Sequence, residues 1–359
     1  MRINTLWSLA VVGLIAACSE STAPGPDQAT ERFSASKIPF GSEFTCDEPA
    51  LYVVPQGINA AGDIVGYGAH WEENEGVTHA FLCENKRGVS IDLGNLGQED
   101  TRAYAINASG QVVGSSTTAT GERHAFVWDK GVMTDLGKLK GDDGSVANAI
   151  NDAGQIVGES SGFNPESPPP SRAFLWKKGV MVDLGTLPGR TWASASGING
   201  RGQVVGTSGI ISANTRINAR GFLWQNGRMT PLPKLGGPES YANGINAAGE
   251  IVGAAETARG EWHAVLWRAG TLTDLGPGRA TAINNSGIVV GFDAEGSAVF
   301  WRNGVKVVIE PAENTDTDDA AYFYATAVNA RRVVVGERDF EGGSQAFVHA
   351  IIRKKVSRP

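Results

Sequence analysis

A nine-residue signature recurs seven times along this chain, and that periodicity constrains the fold more than any single residue does. The signature is Ile-Asn-x-x-Gly-x-Val-Val-Gly. It appears first as Ile58-Asn59-Ala60-Ala61-Gly62-Asp63-Ile64-Val65-Gly66 and restarts at Ile106, Ile150, Ile198, Ile245, Ile283 and Val328, with a mean spacing of 45 residues. In the last copy Arg332 stands where the turn glycine should be. A unit of this length that cannot bury its own apolar face must stack on its neighbours, and about 40–50 residues is the size of a four-stranded propeller blade.

Two further signatures fix the strands inside each unit. One reads His79-Ala80-Phe81-Leu82-Cys83 and His124-Ala125-Phe126-Val127-Trp128, with later copies ending at Trp176, Trp224, Trp267, Trp301 and His349. The other is Asp-Leu-Gly, at Asp92, Asp135, Asp183 and Asp274. Each unit therefore predicts four short strands rich in β-branched and aromatic residues. The Asn-x-x-Gly between strands one and two is a hairpin turn, since Asn and Gly tolerate positive φ. Residues one and three before the signature Ile are small, as in Ala103 and Ala105 or Ala242 and Gly244. Such a column suits an innermost strand, where backbones crowd around an axis. The expected fold is all-β, a β-propeller with seven blades favoured over six. The stretch Phe40 to Cys46 supplies the missing strand of the last blade, which removes an open edge. An open β-solenoid or a pair of sandwiches is the alternative.

These motifs resemble the HAF repeat of predicted extracellular bacterial proteins, over roughly Gly57 to Ala350. The resemblance implies export and repetition and carries no activity with it.

The N-terminus points to the same compartment. Arg2 precedes an apolar run from Thr5 to Ala17, the form of a secretory signal and too short to span a bilayer. Ile15-Ala16-Ala17-Cys18 resembles the bacterial lipobox, which implies cleavage before Cys18 and acylation of its sulfur; an ordinary signal with a chance Cys is the alternative. The expected organisation is a signal peptide over 1–17, a lipidated Cys and flexible tether over 18–38, and the propeller over 39–355. Ser19 lacks the Asp that retains lipoproteins in the inner membrane, so the expected address is the outer membrane, facing the periplasm or the surface. Cys46 and Cys83 are the even pair of an oxidising compartment and predict a disulfide, with free thiols as the alternative. A bridge there would staple the ring closure, contributing about 2–4 kcal/mol.

Beyond Cys18 the chain has 30 basic and 38 acidic residues, a net charge of −8. An acidic surface without a basic stripe argues against nucleic acid. The connections one–two and three–four lie at one end of the ring and are uniform tight turns. The connections two–three and four–one lie at the other end and vary, as in Gly68 to Thr78, Glu159 to Ser171, Ser208 to Ala219 and Glu310 to Ala321. Binding residues concentrate on variable loops held by a rigid scaffold, so this second end is the expected working face. Trp71, Trp192, Tyr241 and Trp262 fall on or beside these loops and are candidate stacking platforms for a sugar or peptide, with local loop packing as the alternative. The neutral polar column two before the Ile (Gln56, Tyr104, Asn148, Ser196, Asn243, Thr281, Thr326) suits hydrogen bonding to water or ligand.

Catalytic chemistry finds little support. His79, His124 and His263 occupy one repeat column on separate blades and cannot converge on one ion. The acidic residues Glu310, Glu313, Asp316, Asp318 and Asp319 lack the ordered spacing of a calcium loop and read as a solvated loop. No nucleophile elbow or phosphate-binding motif is present, and no cofactor is implied. The expected function is an exported, lipid-anchored binding or scaffold protein presenting a rigid face to a carbohydrate, peptide or partner protein. The rival is a propeller enzyme acting on polysaccharide, a hydrolase or lyase, with a paired-carboxylate site that spacing alone does not reveal.

Overall fold

The computed structural model describes residues 33–37, 52–69, 77–162, 171–212, 215–309, 322–340 and 343–353. Among these residues every regular element is a β-strand. All pairing between them is antiparallel, in five four-stranded sheets and one seven-stranded sheet, described below by the seven sequence repeats as units. Unit one comprises Tyr52–Ile58, Ile64–Ala69, Thr78–Glu84 and Val89–Asp92. Unit two comprises Gly97–Ile106, Val112–Thr118, Arg123–Asp129 and Val132–Gly137. Unit three comprises Gly144–Ile150, Ile156–Ser161, Arg172–Lys177 and Val180–Asp183. Unit four comprises Trp192–Ile198, Val204–Ser212, Thr215–Gln225 and Arg228–Pro231. Unit five holds Gly236–Ile245, Ile251–Thr257 and Trp262–Arg268. Its fourth strand is the first half of Thr271–Ile283, whose second half is the first strand of unit six. Unit six continues with Val289–Asp293, Ala298–Arg302 and Val305–Val308.

The seventh unit pairs Tyr322–Val328, Val333–Phe340 and Gly343–Arg353. It is completed by Phe33–Lys37, antiparallel to Gly343–Arg353 in the register Phe33↔Arg353 to Lys37↔His349. The two ends of the described chain thus share one sheet. The completing strand lies earlier than the expected Phe40 to Cys46 stretch and inside the segment read as tether. Residues 38–51 lie outside the described residues.

The signature's apolar pair is explained by what lies on each side of strand two. Val112 packs toward unit one and Val113 toward unit three, and both are fully buried. A strand covered on both faces needs consecutive apolar residues rather than alternation. Seven hydrophobic clusters follow among the described residues, one at each junction of successive units, including Ile64 and Cys83 of unit one against Val335 of unit seven. The first strands of successive units touch one another in turn, and that of unit seven touches that of unit one. The small column therefore lies innermost, with Ala103, Ala147, Ala195, Ala242, Ala280 and Ala325 fully buried. The Phe and Trp of strand three fill the wider space between units, as Phe126, Phe174, Trp267 and Trp301 do.

Each first strand carries a β-bulge between the residues three and one before the signature Ile. The final Gly of the signature exists because of it. A Cβ at Gly114 would sit 1.9 Å from the Arg102 carbonyl oxygen, and at Gly253 1.9 Å from that of Tyr241. No side chain fits in that approach.

Candidate binding face

The two ends of the ring are chemically unlike. At the tight-turn end the signature asparagines form a closed circuit. Each Nδ2 donates to the backbone carbonyl of the asparagine in the next unit: Asn59 to Asn107 (3.4 Å), Asn107 to Asn151 (3.2 Å), Asn151 to Asn199 (3.0 Å) and Asn199 to Asn246 (3.1 Å). Asn246 to Asn284 (3.2 Å), Asn284 to Asn329 (2.9 Å) and Asn329 back to Asn59 (3.1 Å) complete it. In the same side chains Oδ1 accepts turn N–H groups, as from Arg201 and Gln203 at Asn199. In five of the seven, Asn59, Asn107, Asn151, Asn199 and Asn246, Nδ2 also donates to the side chain four residues on, for example Gln203. All seven asparagines are buried. These asparagine side chains are thus committed to architecture.

The neutral polar column expected to serve water or ligand is also largely committed. Asn148 and Asn243 donate to the Ala195 and Ala280 carbonyls of the following units at 2.9 and 2.8 Å. Thr281 and Thr326 donate to the Ala325 and Pro55 carbonyls at 2.6 and 2.8 Å. The bulge turns these side chains sideways, toward the neighbouring unit.

The long-loop end carries an interrupted belt of aromatic and arginine side chains around the inner strands. Arg102 lies over the Tyr67 ring at 5.3 Å, and Tyr104 meets Tyr67 edge-on at 6.3 Å. Arg216 lies over Trp192 at 4.5 Å and reaches Glu159 of unit three at 3.7 Å. Arg279 lies over Trp262 at 4.7 Å, with Tyr241 5.3 Å from the same indole. Phe292 and Tyr324 meet edge-on at 5.0 Å. Every Arg–aromatic stack among the described residues belongs to this belt. Burial pushes the Tyr241 phenol above its ordinary value and Glu239 adds to that effect, against the opposing pull of Arg279 and Arg216. Burial likewise raises Tyr67, helped by Tyr104 and Glu337 and opposed by Arg102.

The expected stacking residues divide. Tyr241 and Trp262 are brought together, both half-buried, with one indole face taken by Arg279. Trp192 is only 3 % exposed and lies against Gly209, whose absent Cβ makes room for the indole. It is packing beneath Arg216 and not an open platform. Its Nε1 has no hydrogen-bond partner. Trp71 lies outside the described residues, as do Cys18, Cys46 and the acidic loop 310–319. The arginines of the belt went unread in the sequence. For two of them the signal was a departure from the repeat: four residues before the signature Ile, Val54, Val146 and Ser194 give way to Arg102 and Arg279. Within the expected loop Ser208 to Ala219 the described residues are strand, the ends of Val204–Ser212 and Thr215–Gln225, paired with Ile211 opposite Arg216.

The histidine column has a partner that its sequence did not disclose. His79, His124 and His263 bond the carboxylates of Asp92, Asp135 and Asp274 at 3.0, 2.8 and 2.9 Å, and Arg172 reaches Asp183 at 3.3 Å. Each Asp also accepts the N–H of the Gly two residues on, as Gly137 does to Asp135 at 2.7 Å. These pairs lock strand three to strand four on separate units. Cys83, 3 % exposed at the junction of units one and seven, is disulfide-bonded.

A family described as a protein of unknown function (DUF3466) matches residues 27–182. No curated protein matches in sequence. In structure, the chain is similar to the β-propeller domain of the Trilobed protease from Pyrococcus furiosus, described as having an open velcro topology. That match has 12% identity and a TM-score of 0.54, over 87% of this chain and 97% of that one. It is also similar to a puromycin hydrolase (14% identity, TM-score 0.55, 91% of this chain and 57% of that one). A third likeness is to the Pyrococcus horikoshii acylaminoacyl peptidase (12%, 0.51, 82% and 52%). The chain spans a little over half the length of these two enzymes. At such identities the likeness is one of fold, and the chain is an all-β protein with the fold of a β-propeller.

Proposed function

We propose that this chain is an exported, lipid-anchored protein whose propeller serves as a rigid binding platform, engaging a carbohydrate or peptide at its long-loop end. The observation that carries this reading is the unequal division of labour between the two ends. One end spends its polar atoms on a repeated circuit of asparagines, while the other breaks the repeat with arginines and aromatics held in fixed stacks. Guanidinium groups held over ring faces add cation–π attraction, and aromatic walls suit sugar or peptide faces.

In this reading the propeller has seven blades and is closed by strand Phe33–Lys37. The supports are a circuit that returns to Asn59 after seven bonds and the pairing of Phe33–Lys37 with the last strand. Cys18 anchors the chain in the outer membrane by its acyl group. Cys83 pairs with Cys46 across the junction of the first and last blades, which non-reducing peptide mapping checks.

Glycan and peptide arrays probed with the whole chain in detergent test the binding function. Expected is a retained ligand class whose signal falls about tenfold or more in Tyr241→Ala and Trp262→Ala, a loss of at least about 1.4 kcal/mol. Retention unaffected by both changes rejects the belt as the contact surface. Turnover of an arrayed polymer replaces the platform with an enzyme.

A further inference from the structure

The repeat supplies its own control for a second site. Where a unit has a basic side chain on strand three it generally has a strand-four carboxylate to hold it: His79 with Asp92, His124 with Asp135, Arg172 with Asp183 and His263 with Asp274. Unit six loses both together, with Ser297 at the cation position and Val308 opposite Val299. Unit four breaks this rule. It keeps the cation, Arg220, but Phe222 faces Pro231 where Phe174 of unit three faces Asp183.

Unit three shows what else is missing. There Arg172 has a second carboxylate, Asp142 at 2.9 Å, from the turn leading into the first strand. The Asp142 N–H donates to the Leu139 carbonyl at 3.1 Å. In unit four the same turn bond runs from the Arg190 N–H to the Leu187 carbonyl at 3.0 Å. Arg190 is therefore the counterpart of Asp142. Both carboxylates that hold the guanidinium of unit three are gone from unit four: one position is a proline and the other is a second guanidinium. The local charge changes from one positive and two negative groups to two positive groups.

Backbone carbonyls hold both cations in place. Arg220 donates through Nε and Nη2 to the Leu232 carbonyl at 3.2 and 2.8 Å. Arg190 donates through Nη1 to the Asn218 carbonyl, two residues before Arg220 on the same strand. The Arg190 guanidinium is thus anchored on the same strand that carries Arg220, two residues from it. Among the described residues neither guanidinium has a carboxylate partner. Glu239 comes nearest in the bonding pattern and accepts the Ala219 N–H at 3.3 Å. Burial and the neighbouring Arg190 both pull Arg220 below its ordinary value, as uncompensated proximity of like charges requires.

We infer that Arg190 and Arg220 form an oxyanion-binding site on unit four, taking a carboxylate or sulfate group between them. The carbonyl anchors use two donors of Arg220 and one of Arg190, leaving N–H groups on both forks to chelate such a group. On a chain of net charge −7, a fixed pair of cations is a local attractor for an anion. The oxyanion is either free in solution or an acidic substituent of a saccharide.

The test is calorimetric titration of the whole chain with sodium sulfate, with a hexuronate oligosaccharide and with a neutral hexose oligosaccharide, at matched ionic strength. Sulfate and hexuronate are expected to bind through this site. Arg220→Gln should weaken both by about tenfold or more. Arg190→Asp, which restores the pattern of unit three, should abolish both while leaving the circular dichroism spectrum intact and Tm in chloride no lower. Affinity unchanged in both variants, or no anion binding by the wild-type chain, overturns the proposal. Hexuronate binding tighter than sulfate supports the site with a saccharide source, and equal affinity supports it with a free oxyanion. Neither variant touches Tyr241, Trp262 or Arg279, so the outcome is separable from that of the belt.

Discussion

Arg332 sits at φ 68°, in the left-handed region where the other six copies of the signature place glycine between φ 69° and 94°. A side chain there costs about 1–2 kcal/mol, because Cβ crowds the following carbonyl. Arg332→Gly is therefore expected to raise stability by about 1 kcal/mol, read as a higher midpoint in urea with an unchanged slope. Residue chemistry also sets the alkaline limit. Tyr67 and Tyr241 have folded-state values raised above the ordinary 10.0, so folding favours their protonated forms. Their contribution is complete below the unfolded value and is lost as pH rises through the raised folded values. Stability should thus fall above about pH 10, and Tyr241→Phe should flatten that fall in a series of thermal melts against pH. Trp192, beside a variable loop, is open in the sequence to a platform or to local packing, and the facing Gly209 shows the indole seated inward.

At the scale of the element, the hairpin joining strands one and two is both a turn and an inter-unit clasp. Asn199 accepts the N–H groups of Arg201 and Gln203 within its turn and donates to the Asn246 carbonyl of the next unit. Asn199→Ala leaves those buried groups without partners, an expected loss of about 2–4 kcal/mol in urea denaturation. Asn199→Asp keeps the turn acceptors but cannot donate at neutral pH, so it isolates the clasp. The turn itself is legible in the sequence, since Asn-x-x-Gly is local chemistry. The clasp is not, because its acceptor lies 38–48 residues away along the chain, or 270 at the closing bond. The His–Asp pairs show the same boundary. Both columns stand out in the sequence, yet their pairing depends on strand register, which brings Phe126 opposite Asp135 and sets His124 beside its carboxylate.

At the scale of the whole molecule, the sheet of unit seven joins the start of the described chain to its end. Removing Phe33–Lys37 by starting the chain at Ile38 exposes the edge of Gly343–Arg353. A truncation of that kind should lower Tm by several degrees and promote association, seen by light scattering, relative to a chain starting at Ser19. The repeat, the small inner column and the apolar Val-Val pair were decided by sequence alone. They are periodic, and a period of about 45 residues with narrow side chains on one strand has few ways to bury itself. Which strand completes the last sheet, which polar columns bond to neighbours, and where the repeat's broken symmetry gathers into arginine–aromatic stacks were decided only by tertiary structure. Those contacts join residues of different units, far apart along the chain, and no local run of residues encodes that proximity.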